Sequence, residues 1–436
     1  MNISVIGSGH VGLVTGACFA DLGHQVLMVD HDRKKIAALK AGKMPFYEPG
    51  LEELVHRGVE EDRLRFTTST AEGVRHGTII FLCVGTPARP NGEADLTAVE
   101  EVVRDVAQAM REYRLIVEKS TVPVQTGEWI ARICRGSVRR GVACDVASNP
   151  EFLREGQGLQ DFLHPDRIVL GVESKRAKEL LLALYKPLNA PAVVTDVKSA
   201  ELIKHASNSF LAMKISFINS VAQICERVGA DVMQVAEGMG LDRRIGRAFL
   251  DAGVGYGGYC FPKDVAAFIR IAERQGVDFQ LLKATEAVNA QQRQRLVQRV
   301  AHALWNLSNK TIAVLGLSFK PDTDDLREAP SIEVIRMLRQ EGARIRAFDP
   351  KAMAQAKSLL PGVTFCKSAY EAVRGADCLV LMTEWNEFKE LEFTRIKKLM
   401  RQPLVVDGRN LYQSDTLQRL GFRYIGVGRG EPWDQR

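Results

Sequence analysis

Cys260 has the clearest chemical setting of any residue in this chain. It lies in the run Gly253-Val254-Gly255-Tyr256-Gly257-Gly258-Tyr259-Cys260-Phe261-Pro262-Lys263-Asp264. Four glycines in the six positions 253–258 make a backbone able to wrap closely around a ligand. Pro262 suits the first helical position, so Cys260 is expected just ahead of a helix N-terminus. The positive end of a helix and a neighbouring cation both stabilise a thiolate, the form in which cysteine attacks. The chemistry on offer is covalent, nucleophilic catalysis. The other seven cysteines (Cys18, Cys83, Cys134, Cys144, Cys225, Cys366 and Cys378) form no CxxC pair. They sit in helix-like or strand-like surroundings and read as small buried hydrophobes of a reducing compartment.

A second constellation stands at the start of the chain. Gly7-Ser8-Gly9-His10-Val11-Gly12 satisfies GxGxxG directly after an apolar run and before helix-compatible sequence. Gly7 supplies the tight turn, Gly9 lets a pyrophosphate approach the backbone, and Gly12 permits close helix–strand contact. The next strand-like run ends at Asp30, 18 residues beyond Gly12. A carboxylate there accepts from ribose hydroxyls and repels a 2′-phosphate, which favours NAD over NADP. Lys35 lies nearby as a candidate for the adenosine end. Two loops, Val84-Gly85-Thr86-Pro87 and Lys119-Ser120-Thr121-Val122-Pro123, follow strand-like runs and belong at the same sheet edge. Thr86 and Thr121 are therefore candidate hydroxyls of the cofactor site.

The elements that must hold these residues follow from the hydrophobic pattern. Apolar runs at 2–6, 25–29, 78–84, 115–119, 142–147 and 167–172 alternate with amphipathic stretches, which argues for a parallel sheet covered by helices. From Lys198 to about Val228 one long helical run takes over, roughly 45 Å at 1.5 Å per residue, and more helix follows to about Trp305. Alternation returns at Lys310. Gly23 to Asp30 has a counterpart in Gly342 to Asp349, each behind a strand ending in glycine (Gly7, Gly316), with ten more residues between landmarks in the second copy. This reads as a duplicated nucleotide-binding fold whose second copy lacks GxGxxG. The expected architecture is α/β: two Rossmann-like doubly wound parallel-sheet domains, 1–197 and 306–436, joined by a long central helix within a helical region, 198–305.

Bulk properties agree with such a chain. Its 436 residues exceed the span of one core, and a net charge of +6 without a basic block leaves no nucleic-acid footprint. No run reaches the length of a membrane span, and Met1–Ile6 is a strand pattern rather than a secretory leader. A cytoplasmic protein with no metal site is expected.

These motifs together resemble the UDP-glucose/GDP-mannose dehydrogenase family over nearly the whole chain. The resemblance extends to Tyr47-Glu48-Pro49-Gly50-Leu51, Asn149 through Gly156, Pro165-Asp166-Arg167, Glu201 through Asn208, Arg244-Ile245-Gly246, and Gly316 through Lys320 with Thr323-Asp324-Asp325 and Arg327. Pro165-Asp166-Arg167 and Cys260-Phe261-Pro262-Lys263-Asp264 look most like the UDP-glucose branch. Tyr259 departs from the pattern, which has serine there, and a phenol bears on the width of the sugar pocket. A sister substrate, GDP-mannose or an N-acetylated UDP-hexose, is the alternative.

The resemblance implies a four-electron oxidation of UDP-glucose to UDP-glucuronate with two NAD. Cys260 would capture the aldehyde as a thiohemiacetal, oxidised next to a thioester that water hydrolyses. Lys204 and Asn208, four apart on one helix face, would stabilise the alkoxide and the oxyanion. Asp264, Glu155 and Thr121 would position and deprotonate water. The cofactor would be touched by Gly7, Gly9, Val11, Gly12, Asp30, Lys35, Thr86, Thr121, Glu155 and Lys263, and by Arg327 reaching from the C-terminal domain. Substrate contacts would come from Glu151, Phe152, Leu153, Arg154, Glu155, Lys204, Asn208, Arg244, Phe249, Leu250, Gly253, Gly257 and Lys320. A homodimer built on the long helix is implied, with Arg244 supplied by the partner.

Overall fold

The structure, a computed structural model, describes residues 1–430. Its contacts divide the chain into two compact units, one of Met1–Ser207 with Ala266–Gly276, the other of Asn208–Val265 with the chain from Val277 onward.

The first unit is built on an eight-stranded sheet of order β3-β2-β1-β4-β5-β6-β7-β8. Its strands are β1 (Asn2–Ile6), β2 (Gln25–Val29), β3 (Leu64–Thr67), β4 (Ile79–Leu82), β5 (Arg114–Glu118), β6 (Cys144–Ser148), β7 (Ile168–Val172) and β8 (Ala192–Thr195). Strands β4 and β5 are buried at every position, because helices cover both faces, and so β4 is wholly apolar and β5 apolar between Arg114 and Glu118. Phe19, Phe81, Ile3 and Leu13 are fully buried among them, each contributing about 1.5–3 kcal/mol on removal from water. The expected parallel sheet is present, with one antiparallel pairing near its edge. Strand β7 runs antiparallel to β6, while β8 is parallel to β7. The connection between β6 and β7 carries only the short helix Gly158–Leu163, and it returns the chain in the opposite direction.

The second unit carries a six-stranded sheet, β11-β10-β9-β12-β13-β14. These are β9 (Thr311–Leu315), β10 (Arg344–Phe348), β11 (Thr364–Phe365), β12 (Cys378–Leu381), β13 (Leu404–Asp407) and β14 (Arg423–Ile425), all parallel to their neighbours. Its order repeats that of the first six strands of the other sheet, the doubly wound dinucleotide-binding order. The likeness continues in detail. Asp30, after β2, accepts from the Ser8 amide at 2.9 Å and the Asp32 amide at 3.0 Å. Asp349, after β10, accepts from the Ser318 amide at 3.1 Å and the Lys351 amide at 2.8 Å. Gly7 and Gly316 both turn with positive φ, 102° and 87°, where a side chain would strike Cys83 and Thr383 respectively. A tight turn against the next inner strand explains both glycines. Asp349 is also sealed by the Trp385 indole at 3.2 Å.

Helix Val197–Val228 is 32 residues long, about 48 Å by its rise. Helix Cys260–Arg274 begins at Cys260 itself, slightly earlier than the Pro262 argument placed it, so Cys260 is the first helical residue. Among the described residues no helix is long and apolar enough to cross a membrane, and no group of three or more His, Cys, Asp or Glu is arranged to hold a metal ion.

Candidate active site

The GxGxxG turn lies between β1 and helix His10–Asp21, at the point where the strand order reverses between β1 and β4. Ligands of doubly wound sheets bind at such a point. A Cβ added at Gly9 would meet nothing within 4 Å, so open space lies where a pyrophosphate approaches the helix N-terminus. Gly12 packs over the Gly7 carbonyl, and Val11 packs on the core below. Lys35 bonds Asp30 at 2.9 Å. Burial works against the Asp30 charge, but bonds from Ser8, Asp32 and Lys35 outweigh it and hold the carboxyl down at about 2. This is a fixed anion at the end of β2, and the turn fits NAD.

Two further loops are stapled together beside it. Thr86 donates to the Thr121 carbonyl at 2.8 Å, and Ser120 donates to the Val84 carbonyl at 2.7 Å. The Thr86 hydroxyl, expected at the cofactor, is therefore engaged in holding Thr121. The loop after β6 is held by Glu48, which accepts from the Gly156 amide at 2.6 Å and the Gly158 amide at 2.7 Å. Glu48 also lies 3.1 Å from His10 Nε2, so the Tyr47-to-Leu51 motif ties the Glu155 loop to the GxGxxG turn.

At the far end of that loop Glu151 and Lys204 form an ion pair of 3.1 Å, both side chains 4% exposed. Glu151 accepts the Leu153 amide at 2.6 Å, and the Phe152 ring sits between the Lys204 ammonium and the Arg167 guanidinium. Arg154 turns away to Asp161, at 2.7 Å. Lys119 went unassigned in the sequence. It is buried, donates to the Asn149 amide oxygen at 3.0 Å, and is pushed by burial to about 8. Its only sequence signal is its place immediately after an apolar strand, which any solvated lysine shares.

A separate cluster surrounds Cys260 in the second unit. Asn208 donates to Asp264 at 2.6 Å, and Lys263 bonds the other Asp264 oxygen at 2.5 Å. Burial opposes the Lys263 charge, yet Asp264 and the nearby Cys260 raise its pKa. Lys204 and Asn208 stand one turn apart on the same continuous helix, as their spacing predicted. The glycine-rich run is fastened from several sides. The Gly253 amide reaches Asn219 at 2.8 Å, the Tyr256 amide reaches Asn289 at 2.8 Å, and Arg409 reaches the Gly255 carbonyl at 3.1 Å. Phe249 adopts a left-handed φ of 64°, Leu250 is buried beside it, and Gly257 packs against the Glu328 backbone.

Tyr259 lies between two cations, 5.4 Å from Lys263 and 4.1 Å from the Arg327 guanidinium. The phenol thus packs on two residues expected at the cofactor. Arg327 bonds Asp325 at 2.7 Å, and Lys320 lies over Phe319. Arg244 is 89% exposed and bonds its near neighbour Asp242 at 2.7 Å.

The fold and these clusters define a dinucleotide-dependent oxidoreductase built on two doubly wound sheets. Residues 1–189 match the NAD binding domain of the UDP-glucose/GDP-mannose dehydrogenase family, 198–291 its central domain and 313–414 its UDP binding domain. The chain belongs to this family, and NAD is its cofactor. It is 47% identical to the UDP-glucose 6-dehydrogenase of Rhizobium meliloti, over 98% of this chain and 100% of that one. It is 45% identical to the UDP-glucose 6-dehydrogenase TuaD of Bacillus subtilis, over 98% and 93%. Among solved structures, a UDP-glucose dehydrogenase from Pyrobaculum islandicum superimposes with TM-score 0.92 at 42% identity, covering 98% of both chains.

Proposed function

We propose that this enzyme oxidises UDP-glucose to UDP-glucuronate in two successive steps, holding the half-oxidised sugar on Cys260. The observation that carries the reading is the setting of Cys260. It opens a helix beside the Lys263–Asp264–Asn208 network, whereas the other cysteines lie in strands, at strand ends or packed within helices. Full-length likeness to UDP-glucose enzymes favours this substrate over GDP-mannose or an N-acetylated UDP-hexose.

NAD, when bound, would supply the hydride acceptor for each oxidation, and each oxidation also releases one proton to water. The chain's own residues do the rest. The Cys260 thiolate adds to the aldehyde carbon, and the resulting oxyanion takes a proton to give the thiohemiacetal. Lys204 and Asn208 donate to the alkoxide and to the tetrahedral oxyanions, the task of preorganised donors. Loss of hydride and of the hydroxyl proton leaves a thioester, and water attacks it with Asp264, Glu155 and Thr121 positioning and deprotonating that water. Hydrolysis releases the carboxylate and returns the thiol. Lys320 and Arg244 suit the substrate diphosphate, residues 306–436 the uridine, and Arg327 with Lys263 the cofactor. Two NADH formed per UDP-glucose consumed is the expected stoichiometry. A count of one, or turnover of another nucleotide-sugar with none of UDP-glucose, would exclude the reading.

A homodimer is part of the proposal. Phe210, Phe217, Ile224 and Val228 fall at spacings of seven, seven and four on the long helix, each more than half exposed. An apolar stripe of that extent calls for cover, and a second copy would both cover it and bring its exposed arginine. Phe217→Glu is expected to convert dimer to monomer in light scattering and to lower turnover. Wild-type enzyme that is monomeric while fully active would refute this part. A nucleophilic thiol operates under reducing conditions, which supports a cytoplasmic location.

A further inference from the structure

The helix that carries Lys204 also grips the loop that carries Thr121. Glu201, 2% exposed, accepts the Gln125 amide at 2.6 Å and the Gly127 amide at 2.7 Å. One turn on, His205 Nε2 donates to the Val122 carbonyl at 2.7 Å. Gln125 is held in a left-handed conformation, φ 79°, which needs such restraint. Below the loop, Glu118 ends β5 with 1% exposure, and no nitrogen or hydroxyl donor among the described residues reaches either carboxyl oxygen. Its carboxyl meets that of Glu201. Its partners across the sheet, Leu82 and Ser148, are uncharged, and Glu128, which also acts on Glu201, is paired with Lys198 at 2.7 Å.

Hydrogen-bond accounting then decides the protonation. Two buried carboxylates in contact repel, whereas one carboxylic acid donating to one carboxylate satisfies both. Glu201 already accepts two amides, so the proton belongs on Glu118. We propose that Glu118 and Glu201 are positioning residues, a carboxyl pair sharing one proton that registers the Thr121 loop against the Lys204 helix. Burial and the neighbouring Glu201 raise the Glu118 pKa well above the carboxylate range. Stability from this proton is complete below the ordinary glutamate pKa and is lost as pH rises through the raised folded-state value. Ionised Glu118 pushes on Glu201 and loosens the loop.

The link to turnover rests on the proposed function, but the proton itself does not. Infrared difference spectra of wild type against Glu118→Gln, without substrate, are expected to show a carboxylic acid that stays protonated above the ordinary carboxylate range in wild type only. In turnover, wild-type kcat is expected to fall on the alkaline side along a limb that Glu118→Gln lacks. Glu201→Gln is expected to lower kcat/KM about tenfold at every pH. Absence of the carboxylic-acid signal, or superimposable pH profiles for wild type and Glu118→Gln, would overturn the proposal. If Glu118→Gln does not fold, the same difference taken against Glu118→Leu decides. An enzyme inactive on UDP-glucose that still shows the signal would fail the functional reading alone.

Discussion

Cys260→Ala is expected to abolish steady two-step turnover of UDP-glucose, with kcat falling by about 10⁴-fold or more, as for loss of other covalent nucleophiles. Nothing remains to hold the aldehyde after the first hydride leaves, and the second oxidation needs a tetrahedral adduct from which hydride can depart. The fold should be indifferent. Cys260 is only partly buried, so the change should alter stability by less than about 1 kcal/mol. Cys260→Ser separates the steps further, because a hydroxyl is a poorer nucleophile and its ester a slower substrate for hydrolysis. That variant is expected to release NADH in a sub-stoichiometric burst followed by a near-zero steady rate. Stopped-flow absorbance measures both, and wild-type turnover in the alanine variant would end the covalent mechanism.

Lys204→Met has the second largest expected effect and acts on two quantities. It removes the partner of Glu151, leaving a carboxylate 4% exposed with no counter-charge on the long helix. Breaking such a pair costs about 3–5 kcal/mol. It also removes a donor expected at the developing alkoxide, a loss of about 10²–10³-fold in kcat. The double variant Lys204→Met with Glu151→Gln tells these apart. With both charges gone, thermal stability should largely recover while kcat stays low. Recovery of activity along with stability would reduce Lys204 to a structural ion pair.

Much of this site was legible before any coordinates. GxGxxG, Asp30 and the Cys260 run each carry a local physical demand, namely a tight turn, a carboxylate after a strand, and a thiol at a helix start. The i to i+4 spacing of Lys204 and Asn208 is likewise a property of any helix. Other features had no such local mark. The four-residue strand β3 and the exposed edge strand β8 are too short, or too polar in surroundings, to stand out from loops. The antiparallel β7 depends on how the connection after β6 folds back. Glu118 reads as a strand-end glutamate, and Lys119 as a solvated lysine.

Tyr259 shows the same division. Its departure from the family pattern was visible in the letters, but its contact with Lys263 and Arg327, 68 residues downstream, was not. Residue order alone carried the family, the cofactor, the duplicated doubly wound architecture and the proposed nucleophile, because these rest on spacings of a few residues or on repeating hydrophobic periods. Protonation and pairing were settled by packing. Glu118 against Glu201, Glu151 against Lys204 and Asn208 against Asp264 join residues 83, 53 and 56 positions apart. Their charges take meaning only from the water excluded around them, and folding across long stretches of chain is what excludes it.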